Sequence, residues 1–202
     1  SPGSAADLQW SGRPARSFPW AVWTRHAAGS ALTGDFDGDG RGDLLWHTAD
    51  ASADTLWFGR ADRTFDVRTS AVAGSFQPLV ADFDGDGADD VLWYEPGTGA
   101  DWFWWGAANR AVTTTGVTLN GVYDTITAPD LDGDGVDDLV LYRRSSAVDY
   151  LSFGTGARSL LLVQMSITGN HQLLRGDFTG SPAGDVLWVD LGAAVDALWT
   201  VG

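Results

Sequence analysis

The sequence predicts an all-β protein, a β-propeller of four-stranded blades with about 47 residues per blade and four blades per chain. Three observations carry that expectation. A nine-residue acidic segment recurs four times: Asp35 to Asp43 (DFDGDGRGD), Asp82 to Asp90 (DFDGDGADD), Asp130 to Asp138 (DLDGDGVDD) and Asp177 to Asp185 (DFTGSPAGD). The copies start 47, 48 and 47 residues apart, a period typical of solenoids and propellers. No stretch keeps apolar residues at three-and-four spacing, and Gly or Pro interrupts the chain about every ten residues, so helix has no support.

Each repeat divides into four strand-like runs bounded by turn residues. In the second copy the first run, Phe76 to Ala81, enters the acidic loop and the second, Asp90 to Tyr94, leaves it. The third is the aromatic run Asp101 to Trp105, and the fourth is the Thr- and Val-rich run Arg110 to Thr118. Eleven residues after the last Asp of each loop stands another, at Asp54, Asp101, Asp149 and Asp196, opening DTLWFG, DWFWWG, DYLSFG and DALWTVG. One period before Asp54, a fifth aromatic segment, DLQWSG, begins at Asp7. Leu56 with Phe58, Phe103 with Trp105 and Leu151 with Phe153 point one way, and Trp57, Trp102 with Trp104, and Tyr150 the other. A sheet with one wet face would alternate apolar with polar, so these runs are expected between neighbouring sheets.

Residues 1–6 read as a flexible lead-in and 7–202 as one propeller domain. The last repeat, 177–202, stops after its aromatic run, and Phe18 to His26 (FPWAVWTRH) occupies the place of its missing fourth strand. A ring closed by strands from both termini leaves no sheet edge exposed. The duplicate aromatic segment at Asp7 to Gly12 competes for one position in that ring, so a homo-oligomer, two chains joined through these ends into a larger ring, stays open as the alternative.

Loop positions 1, 3, 5 and 9 are Asp in three copies, with Gly at 4 and 6. These are Asp35, Asp37, Asp39 and Asp43; Asp82, Asp84, Asp86 and Asp90; Asp130, Asp132, Asp134 and Asp138. Alternate carboxylates turn inward around a hard cation while the glycines permit the curvature. Position 7, occupied by Arg41, Ala88 and Val136, is expected to offer its backbone carbonyl, which lets its side chain vary. An all-oxygen cage built on a loop suits Ca²⁺ better than Mg²⁺, which keeps more water and demands stricter geometry. An EF-hand is excluded, because its bidentate Glu at position 12 is replaced by Trp46, Trp93 and Leu141. The fourth loop keeps Asp177 and Asp185 but has Thr179, Ser181 and Pro182 at positions 3, 5 and 6, which makes these two the weak metal candidates.

The D-x-D-G-D-G-x-x-D loop between short strands resembles the FG-GAP/VCBS repeat family, the repeats of integrin α-subunit propellers and of many secreted bacterial proteins. The resemblance covers residues 7–202, with three of four loops matching fully. It implies about three structural Ca²⁺ per chain, a secreted, extracellular protein of bacterial type, and a role in adhesion, ligand binding or attachment beside enzymes.

Composition agrees with that reading. Among 27 acidic residues only Glu95 is Glu, every basic residue is Arg, and the net charge is −15. Such a chain repels nucleic acid and anionic membrane surfaces. With no Cys there is no thiolate nucleophile or sulfur-bound zinc. No run is long enough for an apolar membrane span. His26, His47 and His171 occupy different repeat positions and read as surface or packing residues, and no nucleophile elbow or phosphate loop is present. The expectation is therefore a binding module for a glycan or a protein surface, with a carbohydrate-active enzyme or its accessory domain as the alternative. Of eleven Trp, the recurring ones read as core, and the off-pattern Trp20, Trp23 and Trp102 as candidates for ligand contact.

Overall fold

The computed structural model describes residues 6–10, 20–24, 29–48, 54–70, 72, 74–97, 100–127, 129–144, 146, 148–192 and 195–200. The side chains of 6–10, 20–24, 125 and 126 lie outside that description, as do residues 1–5 of the expected lead-in 1–6, whose last residue, Ala6, instead begins a strand. The described chain is all β, with no helix. Its strands are β1 (Ala6–Trp10), β2 (Trp20–Thr24), β3 (Ser30–Gly34), β4 (Asp43–His47), β5 (Asp54–Gly59), β6 (Phe65–Ser70), β7 (Gln77–Ala81), β8 (Asp90–Tyr94) and β9 (Asp101–Trp105). They continue with β10 (Thr113–Val117), β11 (Thr125–Thr127), β12 (Leu139–Tyr142), β13 (Asp149–Phe153), β14 (Leu161–Met165), β15 (His171–Gly176), β16 (Asp185–Asp190) and β17 (Ala197–Trp199).

Each repeat forms one antiparallel meander. The sheets run β3-β4-β5-β6, β7-β8-β9-β10, β11-β12-β13-β14 and β15-β16-β17, with β1-β2 as a separate pair. The acidic loop is always the hairpin between first and second strands. Gly34 pairs with Asp43, Ala81 with Asp90 and Gly176 with Asp185, so in these three sheets the position 9 Asp opens the second strand, while in the third the strand begins just after Asp138, at Leu139. The expected second and third runs of the second repeat match β8 and β9, while its fourth is trimmed to Thr113–Val117. Arg110 accounts for the trimming, because its left-handed φ of 61° places it in a turn.

Alternate side chains of one strand serve two different cores. Leu56 and Phe58 of β5 join Val91, Trp93 and Trp104 of the second sheet. Phe103 and Trp105, from the opposite face of the second sheet, join Leu139 and Leu141 of the third. Tyr142, Val140 and Leu131 join Val186 and Trp188 of the fourth. Apolar residues on both faces are thus explained by sheets stacked face to face, and Leu45, Leu92, Trp93 and Leu139 are completely shielded. First strands of adjacent sheets come together, β3 against β7 and β11 against β15.

At the N-terminus the expected strand within Phe18 to His26 is β2, and the aromatic segment from Asp7 is β1. They pair from Ala6↔Thr24 to Trp10↔Trp20, the pairing that third and fourth strands make elsewhere. Among the described residues the fourth sheet holds three strands, and the hydrogen-bonded partner of β2 is β1.

Candidate metal centre

The glycine at loop position 4 has two reasons to be there. Gly38, Gly85 and Gly133 have φ of 63°, 72° and 77°, in the left-handed region that an L side chain rarely adopts. A Cβ on Gly38 would also lie 2.9 Å from Gly87 O of the next loop, and one on Gly85 would lie 2.7 Å from Val136 Cγ2. The loops therefore stack on one another. Asp89 N donates to Asp35 O at 2.8 Å, Asp137 N to Asp82 O at 2.8 Å and Gly184 N to Asp130 O at 2.5 Å. Asp89 and Asp137 also receive the position 1 N–H of the preceding loop, at 2.6 Å from Asp35 and 3.0 Å from Asp82. Position 7 is less free than its sequence variety suggests: Ala88, Val136 and Ala183 are buried against the loop before them, while Arg41 is exposed.

Within each loop the backbone curls around its first Asp. Asp35 accepts N–H groups from Asp39 at 3.0 Å and Gly40 at 2.7 Å. Asp82 accepts from Gly85 and Gly87, and Asp130 from Gly133 and Gly135. Position 5 receives the position 7 N–H, from Arg41 at 3.0 Å, Ala88 at 2.9 Å and Val136 at 2.8 Å. Carboxylate oxygens of Asp35, Asp37 and Asp39 come within 4.8 Å of one another, as do those of Asp82, Asp84 and Asp86, and those of Asp130, Asp132 and Asp138. These are hard, anionic donors on a curved loop, and they fit a Ca²⁺ ion. Asp134 falls outside the third group, and Asp43 and Asp90 outside the first two.

The position 9 Asp has a role that the sequence did not disclose. Asp43 Oδ2 accepts from Phe36 N at 2.9 Å and Oδ1 from Gly59 N at 2.7 Å, tying the loop to the end of β5. Asp90 does the same with Phe83 and Gly106, and Asp138 with Leu131 and Gly154. Both oxygens keep a lone pair for a cation. Burial pushes Asp43 and Asp138 up to about 6 and Asp90 up to about 8, and neighbouring loop carboxylates add to the rise. Asp137 rises to about 6, again from burial first.

In the fourth loop, hydroxyls stand where carboxylates stood, and they satisfy each other. Thr179 Oγ1 lies 3.2 Å from Ser181 Oγ and 3.2 Å from Asp185 Oδ2, and Ser181 Oγ donates to Ala183 O. Asp185 holds Phe178 N and Thr179 N, and Asp177 holds Gly180 N. Neither Asp177 nor Asp185 belongs to a three-carboxylate group among the described residues.

A family model described as an FG-GAP-like repeat matches residues 35–93. That stretch is similar to an FG-GAP-like repeat. It spans the first acidic loop, β4, β5 and β6 of the first sheet, then β7, the second loop and most of β8. No curated protein matches the chain. Outside that stretch, the third sheet repeats the strand order of the first two, and the fourth repeats its first three strands among the described residues.

Of the candidate ligand contacts, Trp102 is half-buried beside Phe76, Trp93 and Trp104, with centroids 6.2, 6.2 and 5.9 Å away. Trp20 and Trp23 lie on β2, and their side chains are outside the described residues. Two sets of residues escaped the sequence reading. Asp54, Asp101 and Asp149 are buried backbone clamps, and Arg110 and Arg158 reach the acidic loops of a neighbouring sheet. Both sets recur with the repeat, a signal that was present but not tied to a chemistry.

Proposed function

We propose that the chain is a calcium-stabilised β-propeller acting as an exported binding module, with a glycan or a protein surface as its ligand. The observation that supports this most is the stacking of the acidic loops, three of which bring together carboxylates in an all-oxygen arrangement. Four carboxylates in nine residues repel one another, and a divalent ion at each of three loops relieves that repulsion while joining consecutive sheets. The repeated face-to-face contact of sheets, first strand beside first strand, supports radial arrangement around an axis. No helix of the described residues is long and apolar enough to cross a membrane.

The ligand class is an inference from the repeat family and from the aromatic content. Titration with CaCl₂ is expected to give about three sites per chain, and chelator to lower the melting temperature, because a ligand bound only to the native state stabilises it by mass action. A glycan array probed in calcium then separates the two ligand classes. Saturable binding that is abolished by chelator supports the glycan, whereas a blank array with calcium-dependent capture of a protein supports the protein surface. An unchanged melting curve in chelator would sink the calcium reading.

A further inference from the structure

Arg110 and Arg158 occupy the same place one repeat apart, in the turn between third and fourth strands, and Arg63 holds it one repeat earlier. The φ values of Arg63, Arg110 and Arg158 are 67°, 61° and 54°. Glycine is the unstrained residue at such angles, so a long cation retained there points to work done by its side chain.

Arg110 and Arg158 each cross to the preceding sheet. Arg110 Nε donates to Asp37 Oδ2 at 2.5 Å and Nη1 to Asp66 Oδ2 at 3.0 Å, with the guanidinium carbon 4.9 Å from the Phe58 ring centroid. Arg158 repeats the arrangement one period later: Nε to Asp84 Oδ2 at 2.6 Å, Nη1 to Thr113 Oγ1 at 3.2 Å, and the guanidinium 5.3 Å from the Trp105 centroid. Nη2 of each lies near the position 5 carboxylate, 3.8 Å from Asp39 and 3.7 Å from Asp86. Asp37 and Asp84 are buried under these contacts. Asp132, the third-loop equivalent with no arginine on it among the described residues, is exposed.

We propose that Arg110 and Arg158 are positioning residues for cation binding, each fixing the position 3 carboxylate of a loop on the neighbouring sheet, so that filling the loop and docking the next sheet form one linked equilibrium. The proposal rests on the calcium reading above. The guanidinium takes Oδ2 and leaves Oδ1 of Asp37 and Asp84 turned towards the loop, where its hydrogen-bond partner among the described residues is the position 5 N–H, at 3.3 Å and 3.1 Å. A planar fork held by a second acceptor and an aromatic face has little freedom, so the carboxylate it grips is pre-oriented. Outer-shell partners of this kind typically carry about 10–100-fold in metal affinity. The coupling is reciprocal: a bound ion strengthens the sheet contact by the same factor.

The test is calorimetric titration of the whole chain with CaCl₂, together with melting in calcium and in chelator. Arg110→Gln is expected to weaken one site of about three by about 10-fold or more, Arg158→Gln a second, and the double variant both, leaving the third loop unchanged. In each variant the calcium-induced rise in melting temperature shrinks. Arg60→Gln, which removes an equal charge from a solvent-exposed pair with Asp62, leaves all sites unchanged. Should a Gln variant fail to fold, Arg110→Lys, which keeps the charge and loses the fork, provides the same measurement and weakens the same site. Unchanged affinity with an equal melting loss in calcium and chelator makes the arginines a plain inter-sheet link and overturns the proposal. Tighter binding in the Gln variants overturns it too, by making the guanidinium a competitor. A wild-type chain that takes up no calcium refutes the calcium reading instead.

Discussion

Asp101 is fully buried, and each of its oxygens accepts one backbone N–H, from Glu95 and from Leu119, both at 2.7 Å. Asp54 does this with Thr48 and Val72, and Asp149 with Arg143 and Ile167. Together with the position 9 residues, every complete sheet therefore carries two Asp clamps, one at each end of its third strand. The short side chain explains why Asp excludes Glu: one further methylene would push the carboxylate past the two amides it bridges. Asp101→Ala is expected to cost about 1–3 kcal/mol for each N–H it orphans, read as a lower urea midpoint, with the calcium affinity of the loops little changed. Asp101→Asn, which keeps one acceptor oxygen, falls between. A neutral outcome for Asp101→Ala would mean that water or another acceptor reaches both amides.

At the scale of the element, the turn and the strands of the acidic hairpin were legible, but its neighbours and the backbone-holding role of its position 9 Asp were not. The glycine-permitted curvature and the flanking strands were anticipated from nine residues, because a tight turn is a local object. Its stacking on the next loop was not, since Gly38 meeting Gly87 O depends on a residue one repeat away. The fourth loop shows what the local pattern requires. Pro182 cannot take the positive φ that Gly40, Gly87 and Gly135 have at position 6, of 80°, 87° and 87°. The combined change Thr179→Asp, Ser181→Asp and Pro182→Gly is expected to raise the calcium stoichiometry by one, measured by titration. No added site would show that a feature beyond these three positions disables the loop.

Across the whole molecule, the raised carboxylates make stability depend on pH and cation together. Asp43, Asp137 and Asp138 reach about 6 and Asp90 about 8 in the folded chain, against an ordinary value of 3.8. Below that ordinary value both states are protonated and these groups contribute nothing. As pH rises from there to about 6, and to about 8 for Asp90, the unfolded chain releases protons the native state still holds, so stability falls. In chelator the melting temperature is expected to drop between about pH 4 and pH 8. In saturating calcium the drop is smaller, because a cation favours the ionised carboxylates. A flat or rising profile in chelator would contradict this. Larger contacts follow the same repeat logic. Phe36 and Phe83 are covered by the following sheet, whereas Phe178, their equivalent on the fourth sheet, is 50% exposed.

The sequence alone determined the all-β class, the 47-residue period, the strand positions and the candidate ligands, because alternation, turn chemistry and chelation are all set within a few residues. Only the tertiary structure decided which carboxylates hold backbone rather than face the loop, and that Arg110 and Arg158 belong to the loops of another sheet. Those contacts join residues up to 74 positions apart, as Arg158 and Asp84 are. Their existence depends on how one sheet is laid against the next, a matter of side-chain packing that no local pattern encodes.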